Sequence, residues 1–306
     1  MRCVPRFSVP LGMVLVLMII TGSASSASVI RIPPRATTPS IDVGVLSDRG
    51  ALVSFDSGHL WTTVAVSQLR PTDISVSGSD VGVVSSTGAA VSYDFGHHWT
   101  TIAVPSLKPS DISVSGTDVG VVSSAGAAVT FDSGHHWLTV AASQLRPTDI
   151  SVSGSDVGVV STAGAIVSFD SGHHWATVAV PSTRPKSVVV SGADVGVVSN
   201  SGAWATFNRG RQWVTISGFF LKPTELTVSG VDVAVVNEDG AVVSFDSGLD
   251  WLTVAEPTQK PSAISVSGTA IGLVAATGAS ISLDSGVHWT EVVSHNLQPT
   301  QVVVSA

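Results

Sequence analysis

The chain has 306 residues, 12% of them charged and 44% hydrophobic, with a formal net charge of -8 and a pI near 5.4. That acidic balance gives no electrostatic support for a general nucleic-acid role, and a single cysteine excludes a disulfide framework. Gly, Ser, Thr, Val and Ala dominate, a composition suited to short strands and tight turns and poor in long-helix formers.

The first 27 residues read as a cleaved signal peptide. Arg2 and Arg6 supply a basic start, Leu11–Ile20 an apolar stretch too short to span a bilayer comfortably, and "TGSASSA" the small residues of a cleavage site. Cleavage implies a secreted or extracytoplasmic protein without a membrane span. Cys3 leaves with the signal, so the mature chain has no thiol nucleophile and no thiolate metal ligand. Residues 28–40, "SVIRIPPRATTPS", read as a flexible linker.

From residue 41 onward the chain repeats. Trp61, Trp99, Trp137, Trp175, Trp213, Trp251 and Trp289 are each 38 apart, with only Trp204 outside the series. Each unit divides into four short runs, in the second unit "PTDISVSG" (71–78), "DVGVVSS" (80–86), "GAAVSYD" (88–94) and "WTTIAV" (99–104). The runs are rich in Val, Ile and Thr and bounded by Gly, Ser, Asp or Pro, the signature of four strands, A to D, joined by tight turns. Seven such units predict an all-β, seven-bladed β-propeller of four-stranded antiparallel blades over residues 41–306. The first unit opens at strand B ("IDVGVL", 41–46), whereas the chain ends on a surplus strand A ("LQPTQVVVSA", 297–306). The C-terminal strand is therefore expected to complete the first blade and hide both edges of the ring.

Between strands C and D one phrase recurs, from "SFDSGHLW" (54–61) to "SLDSGVHW" (282–289). Six copies carry Asp (Asp56, Asp94, Asp132, Asp170, Asp246, Asp284) and the fifth carries Asn208. The pattern S/T-x-D-x-G-x-x-W resembles the Asp-box (BNR) repeat shared by sialidases, some other glycosidases, sortilin-type receptors and photosystem II assembly-factor propellers. The resemblance covers nearly all of residues 41–306 and implies that the box is structural and faces away from the functional side. Elementary chemistry agrees: Gly tolerates φ > 0 in the turn, Asp or Asn accepts backbone N–H bonds, and Trp is expected to bury its ring beneath it. Eight of the nine histidines lie in these turns, on separate blades, and read as exposed turn residues with no metal site expected.

The D-to-A connections must emerge on the opposite face. There Arg70, Lys108, Arg146, Arg184, Lys222 and Lys260 recur at period 38, each before a proline, with Gln298 breaking the series. Strand A runs nearest a propeller axis, so six cations are expected around the mouth of the central channel as a trap for an anionic ligand. The competing expectation is local pairing with Asp73, Asp111, Asp149 and Glu225, three residues on. The fifth unit departs most from the template: Trp204 stands where other units have Ala90, Ala128 or Ile166, and Phe219 and Phe220 precede Lys222. These aromatics are candidates for stacking a glycan or a partner's apolar side chain. Glu238, Asp239 and Glu256 place an acidic patch beside them at the sixth unit.

The enzymatic alternative is a sialidase-like hydrolase. The resemblance implies three arginines, a tyrosine nucleophile and acidic partners for that chemistry, yet the sole tyrosine, Tyr93, sits inside a repeated turn. No catalytic residue and no cofactor are assigned. The expected function is a monomeric, secreted, non-enzymatic scaffold holding a glycan, an anionic ligand or a protein partner on the face opposite the repeated turns, with an assembly factor resembling the photosystem II propellers as the alternative.

Overall fold

The computed structural model describes residues 40–306, apart from 104, 180, 217–221, 238, 256 and 295–296. The expected signal peptide, residues 28–39 of the linker, Phe219, Phe220, Glu238 and Glu256 lie outside the described residues. No helix among the described residues is long and apolar enough to cross a membrane.

Seven four-stranded antiparallel sheets, one per repeat, form a seven-bladed β-propeller whose 28 strands run from β1 (Asp42–Ser47) to β28 (Pro299–Ser305). The second blade shows the pattern: β4 (Asp73–Ser77), β5 (Asp80–Ser85), β6 (Gly88–Ser92) and β7 (Thr100–Ala103) lie side by side in chain order. Short 3-10 turns, such as Ser67–Leu69 and Pro105–Leu107, carry the chain from the outer strand of one blade to the inner strand of the next.

The core lies in the seams between blades. Val84, Ala89, Val91 and Ala103 of the second blade pack against Ile112, Val114, Val119 and Val121 of the third. No repeat buries its apolar residues alone, so each depends on its neighbour. Strand B is buried on both faces, and its central glycine is the point of closest approach. A Cβ added at Gly82 would meet Val114 Cγ1 at 2.8 Å and Ile112 Cδ1 at 2.9 Å. A side chain there would push the next blade away.

Closure follows the expectation. The first blade has the order β28-β1-β2-β3, where β2 is Gly50–Ser54 and β3 is Thr62–Val66, with Val43 opposite Val304 and Val45 opposite Val302. The innermost strands touch one another around the whole ring, β28 included.

Candidate functional site

The repeated phrase forms the same turn in every blade. In the second, Ser92 Oγ donates to Asp94 Oδ1 (2.9 Å) and accepts from Gly96 N–H (2.8 Å), and His98 N–H donates to Asp94 Oδ1 (2.8 Å). Two successive residues take positive φ, Phe95 at 62° and Gly96 at 81°. The first of these donates its N–H to the A–B turn, Phe95 to Ser79 O at 2.8 Å, so this face is built from both sets of turns. The tryptophan departs from expectation: Trp99 and Trp137 remain 37% and 38% exposed. In these two the indole stays at the surface, whereas Trp61, Trp175, Trp251 and Trp289 are half-buried against the seams, and all six close their N–H on the glycine carbonyl, Trp99 Nε1 to Gly96 O at 2.9 Å.

The eight turn histidines are exposed, as expected, and several of them have partners. His136, His174 and His288 each set Nδ1 against the carboxylate of their own turn at 2.5–2.6 Å, and His98 does the same on Asp94. The backbone N–H and ring of His288 hold the Asp284 carboxyl at about 2. No group of three metal-ligating side chains occurs among the described residues.

The opposite face is assembled from the 3-10 turns and the B–C turns, joined by bonds such as Ser86 N–H to Leu69 O (2.7 Å) and Thr162 N–H to Leu145 O (2.7 Å). Here the structure places Arg70, Lys108, Arg146, Arg184, Lys222 and Lys260, all exposed and all in the left-handed region, with φ between 46° and 66°. Gln298 takes the same conformation at φ 45°. Each is the hinge where the chain turns from the face into an inner strand ahead of a proline, and Arg70, Lys108, Arg146, Arg184 and Lys260 directly follow a 3-10 turn.

The expected local pairing of these cations is overturned. None of the six forms an ion pair among the described residues. The carboxylates three residues on turn along the seam instead and accept a backbone N–H from the next blade. Ile112 N–H donates to Asp73 (2.7 Å), Ile150 to Asp111 (2.7 Å), Val188 to Asp149 (2.8 Å) and Ile264 to Glu225 (3.2 Å). Gln301 completes the belt, accepting from Ile74 N–H and donating to Asp73 Oδ1 at 2.9 Å. A second layer repeats the device with hydroxyls, as in Val114 N–H to Ser75 Oγ at 3.0 Å.

These acids lie on the inner strands, where burial raises them all. Burial pushes Glu225 up to about 8, with the charges of Asp149 and Asp73 adding to it against the Ile264 bond. Burial likewise raises Asp111 well above the usual carboxylate range, and the charges of Asp73 and Asp149 raise it further. The cation face thus stands over a belt of carboxyls raised by burial.

Trp204 is the middle of β18 (Gly202–Thr206) and lies on the flank of the molecule rather than on the cation face. It opens into a groove of about 370 Å³ between the fourth and fifth blades, lined also by Thr177, Val178, Ala179, Thr183 and Trp213. The sequence marked Trp204 as an outlier but did not pair it with Trp213, which belongs to the repeating series. Their meeting depends on the packing of neighbouring blades.

No family model and no curated protein matches this chain. Solved structures share its fold. YCF48 from Cyanidioschyzon merolae superposes with a TM-score of 0.55 at 15% identity, covering 80% of this chain and 91% of that one, and YCF48 bound to D1 peptide with 0.52 at 16%, covering 80% and 96%. The GH74 xyloglucanase from Xanthomonas campestris gives 0.55 at 14% identity over 87% of this chain and 52% of its own, so this chain spans about half of that enzyme. The nidogen/laminin complex contributes a chain at 0.53 and 8% identity, covering 87% and 98%. At these identities the likeness is one of fold.

Proposed function

We propose that this chain is a secreted, non-enzymatic propeller that holds an acidic segment of a partner protein on its cation-bearing face. The observation that carries this reading is the set of six exposed Arg and Lys residues, unpaired among the described residues, on one face of an acidic molecule. Such an arrangement concentrates field lines toward the axis and steers an anionic chain onto it. The repeated hinge gives each cation a left-handed backbone position ahead of a proline. Fold neighbours support a binding role: one YCF48 structure carries a bound peptide, and another neighbour comes from a nidogen/laminin complex. The xyloglucanase neighbour shows that the fold also serves glycoside hydrolysis, but here the axial carboxylates are engaged by the seams they join.

Titration of fluorescent polyglutamate into the full chain tests the proposal. Binding should saturate, weaken as salt screens the surface, and fall sharply when Arg70→Gly, Lys108→Gly and Arg146→Gly are combined. Glycine suits the left-handed hinge, so the variant removes charge without strain. Binding that survives the triple variant removes the ring from the function.

A further inference from the structure

The fifth repeat concentrates charge as well as aromatics. Within residues 184–222 the cations Arg184, Lys186, Arg209, Arg211 and Lys222 face a single acid, Asp194, whereas no Lys or Arg occurs between Lys222 and Lys260. This excess borders the seam that holds the Trp204–Trp213 groove. At the turn face, Arg209 reaches back over the fourth blade, its Cζ 5.8 Å from the centre of the Phe169 ring. At the other end Thr183, part of the groove lining, leads directly into Arg184. Between them β18 runs five residues, about 16 Å of extended chain.

The indoles themselves are unusual. In six of the turns the tryptophan N–H donates to the glycine carbonyl, as in Trp175 Nε1 to Gly172 O at 3.0 Å. Trp213 makes no such bond, and neither Trp213 nor Trp204 has a hydrogen-bond partner for its indole N–H among the described residues. Trp213 is 36% exposed and Trp204 half-buried, so both N–H groups are left for solvent or a ligand. Here two indoles line one groove with no acidic residue in its wall. A ligand suited to two indoles brings hydrogen-bond acceptors and a flat, weakly apolar ring, and a pyranose offers both. The flanking cations add a demand for negative charge.

We propose that the seam between the fourth and fifth blades is a binding groove for an acidic polysaccharide. Trp204 and Trp213 stack its sugar rings and donate to its oxygens, and Arg184 and Arg209 take its acid groups at the two ends. The equivalent seams lack the second indole, because Leu52, Ala90, Ala128, Ile166, Val242 and Ser280 stand where Trp204 does. The groove shares only Arg184 with the cation face and stands whether or not that face binds a peptide.

Calorimetric titration of the full chain with oligogalacturonate and with chondroitin sulfate tests the groove and separates carboxylated from sulfated ligands. Neutral dextran and polyglutamate serve as comparators. Saturable binding is expected for at least one acidic polysaccharide. It should weaken about ten-fold in Trp204→Ile, which restores the residue of the preceding blade, and by a similar factor in the surface variant Arg209→Gln. The combined Arg70→Gly, Lys108→Gly and Arg146→Gly variant should bind as the parent does. The proposal is overturned if neither acidic polysaccharide binds, or if, in that combined variant, dextran or polyglutamate binds as tightly as the acidic polysaccharide. It is also overturned if Arg209→Gln and a folded Trp204→Ile both bind like the parent; should Trp204→Ile not fold, Arg209→Gln alone decides.

Discussion

Single residues in this protein are asked to satisfy turns and seams at once. Ser168 is fully buried, its hydroxyl donating to Asp170 Oδ1 (2.9 Å) and accepting from Gly172 N–H (2.9 Å). Ser168→Ala leaves that N–H without an acceptor and is expected to cost about 1–3 kcal/mol, read as a lower midpoint in thermal unfolding. Gly82→Ala forces Ile112 and Val114 outward and should cost a similar 1–3 kcal/mol through overpacking. The hinge residues behave in the opposite sense. Arg70 holds φ at 48°, so Arg70→Gly should leave stability within about 1 kcal/mol of the parent, whereas β-branched Arg70→Val should lose roughly 1–2 kcal/mol. Equal unfolding midpoints for the glycine and valine variants would show that the hinge is unstrained.

At the scale of elements, β28 does the most. It supplies the inner strand of the first blade, buries Val302 and Val304 in the seam with the seventh, and is bound from both sides. Ser265 Oγ accepts Val304 N–H on one side, and Gln301 reaches Ile74 and Asp73 on the other. Deleting residues 299–306 removes two buried valines worth about 1.5–3 kcal/mol each and bares the edge of β1 to other chains. Size-exclusion chromatography should then show self-association, with a broadened melt. A monomeric deletion variant melting like the parent would mean that the ring does not depend on this closure.

The whole molecule couples its stability to pH through the axial belt. Glu225 titrates near 4.5 in the unfolded chain and at about 8 in the fold, so between those values the folded state holds the extra proton. Its stabilisation is complete below about 4.5 and is lost as pH rises through 8. The turn acids act oppositely. Asp284 falls from 3.8 unfolded to about 2, so its contribution is present above about 3.8 and lost as pH drops toward 2. Stability should therefore peak at mildly acidic pH and fall toward pH 8. Glu225→Gln, which keeps an acceptor for Ile264 N–H, should flatten that fall. Thermal midpoints across pH 3–9 that rise steadily to neutrality would contradict the belt's protonation.

The 38-residue period, the four apolar runs and the offset between the first and last repeats carried the architecture, because a repeat whose apolar residues have no partner within the unit must stack on its neighbours. The cations at the hinges were legible for the same reason: a copied residue marks a copied position. Other features were decided only by the ring. The acids at 73, 111, 149 and 225 lie three residues from a cation in the chain, yet they bond to a backbone group in the next blade, 39 residues on from Asp73 to Ile112. Trp204 and Trp213 are nine residues apart in a pattern that names one an outlier and the other a repeat element. Their shared groove and their unpaired N–H groups arise where one blade packs on another, a contact between seams that local residue order does not encode.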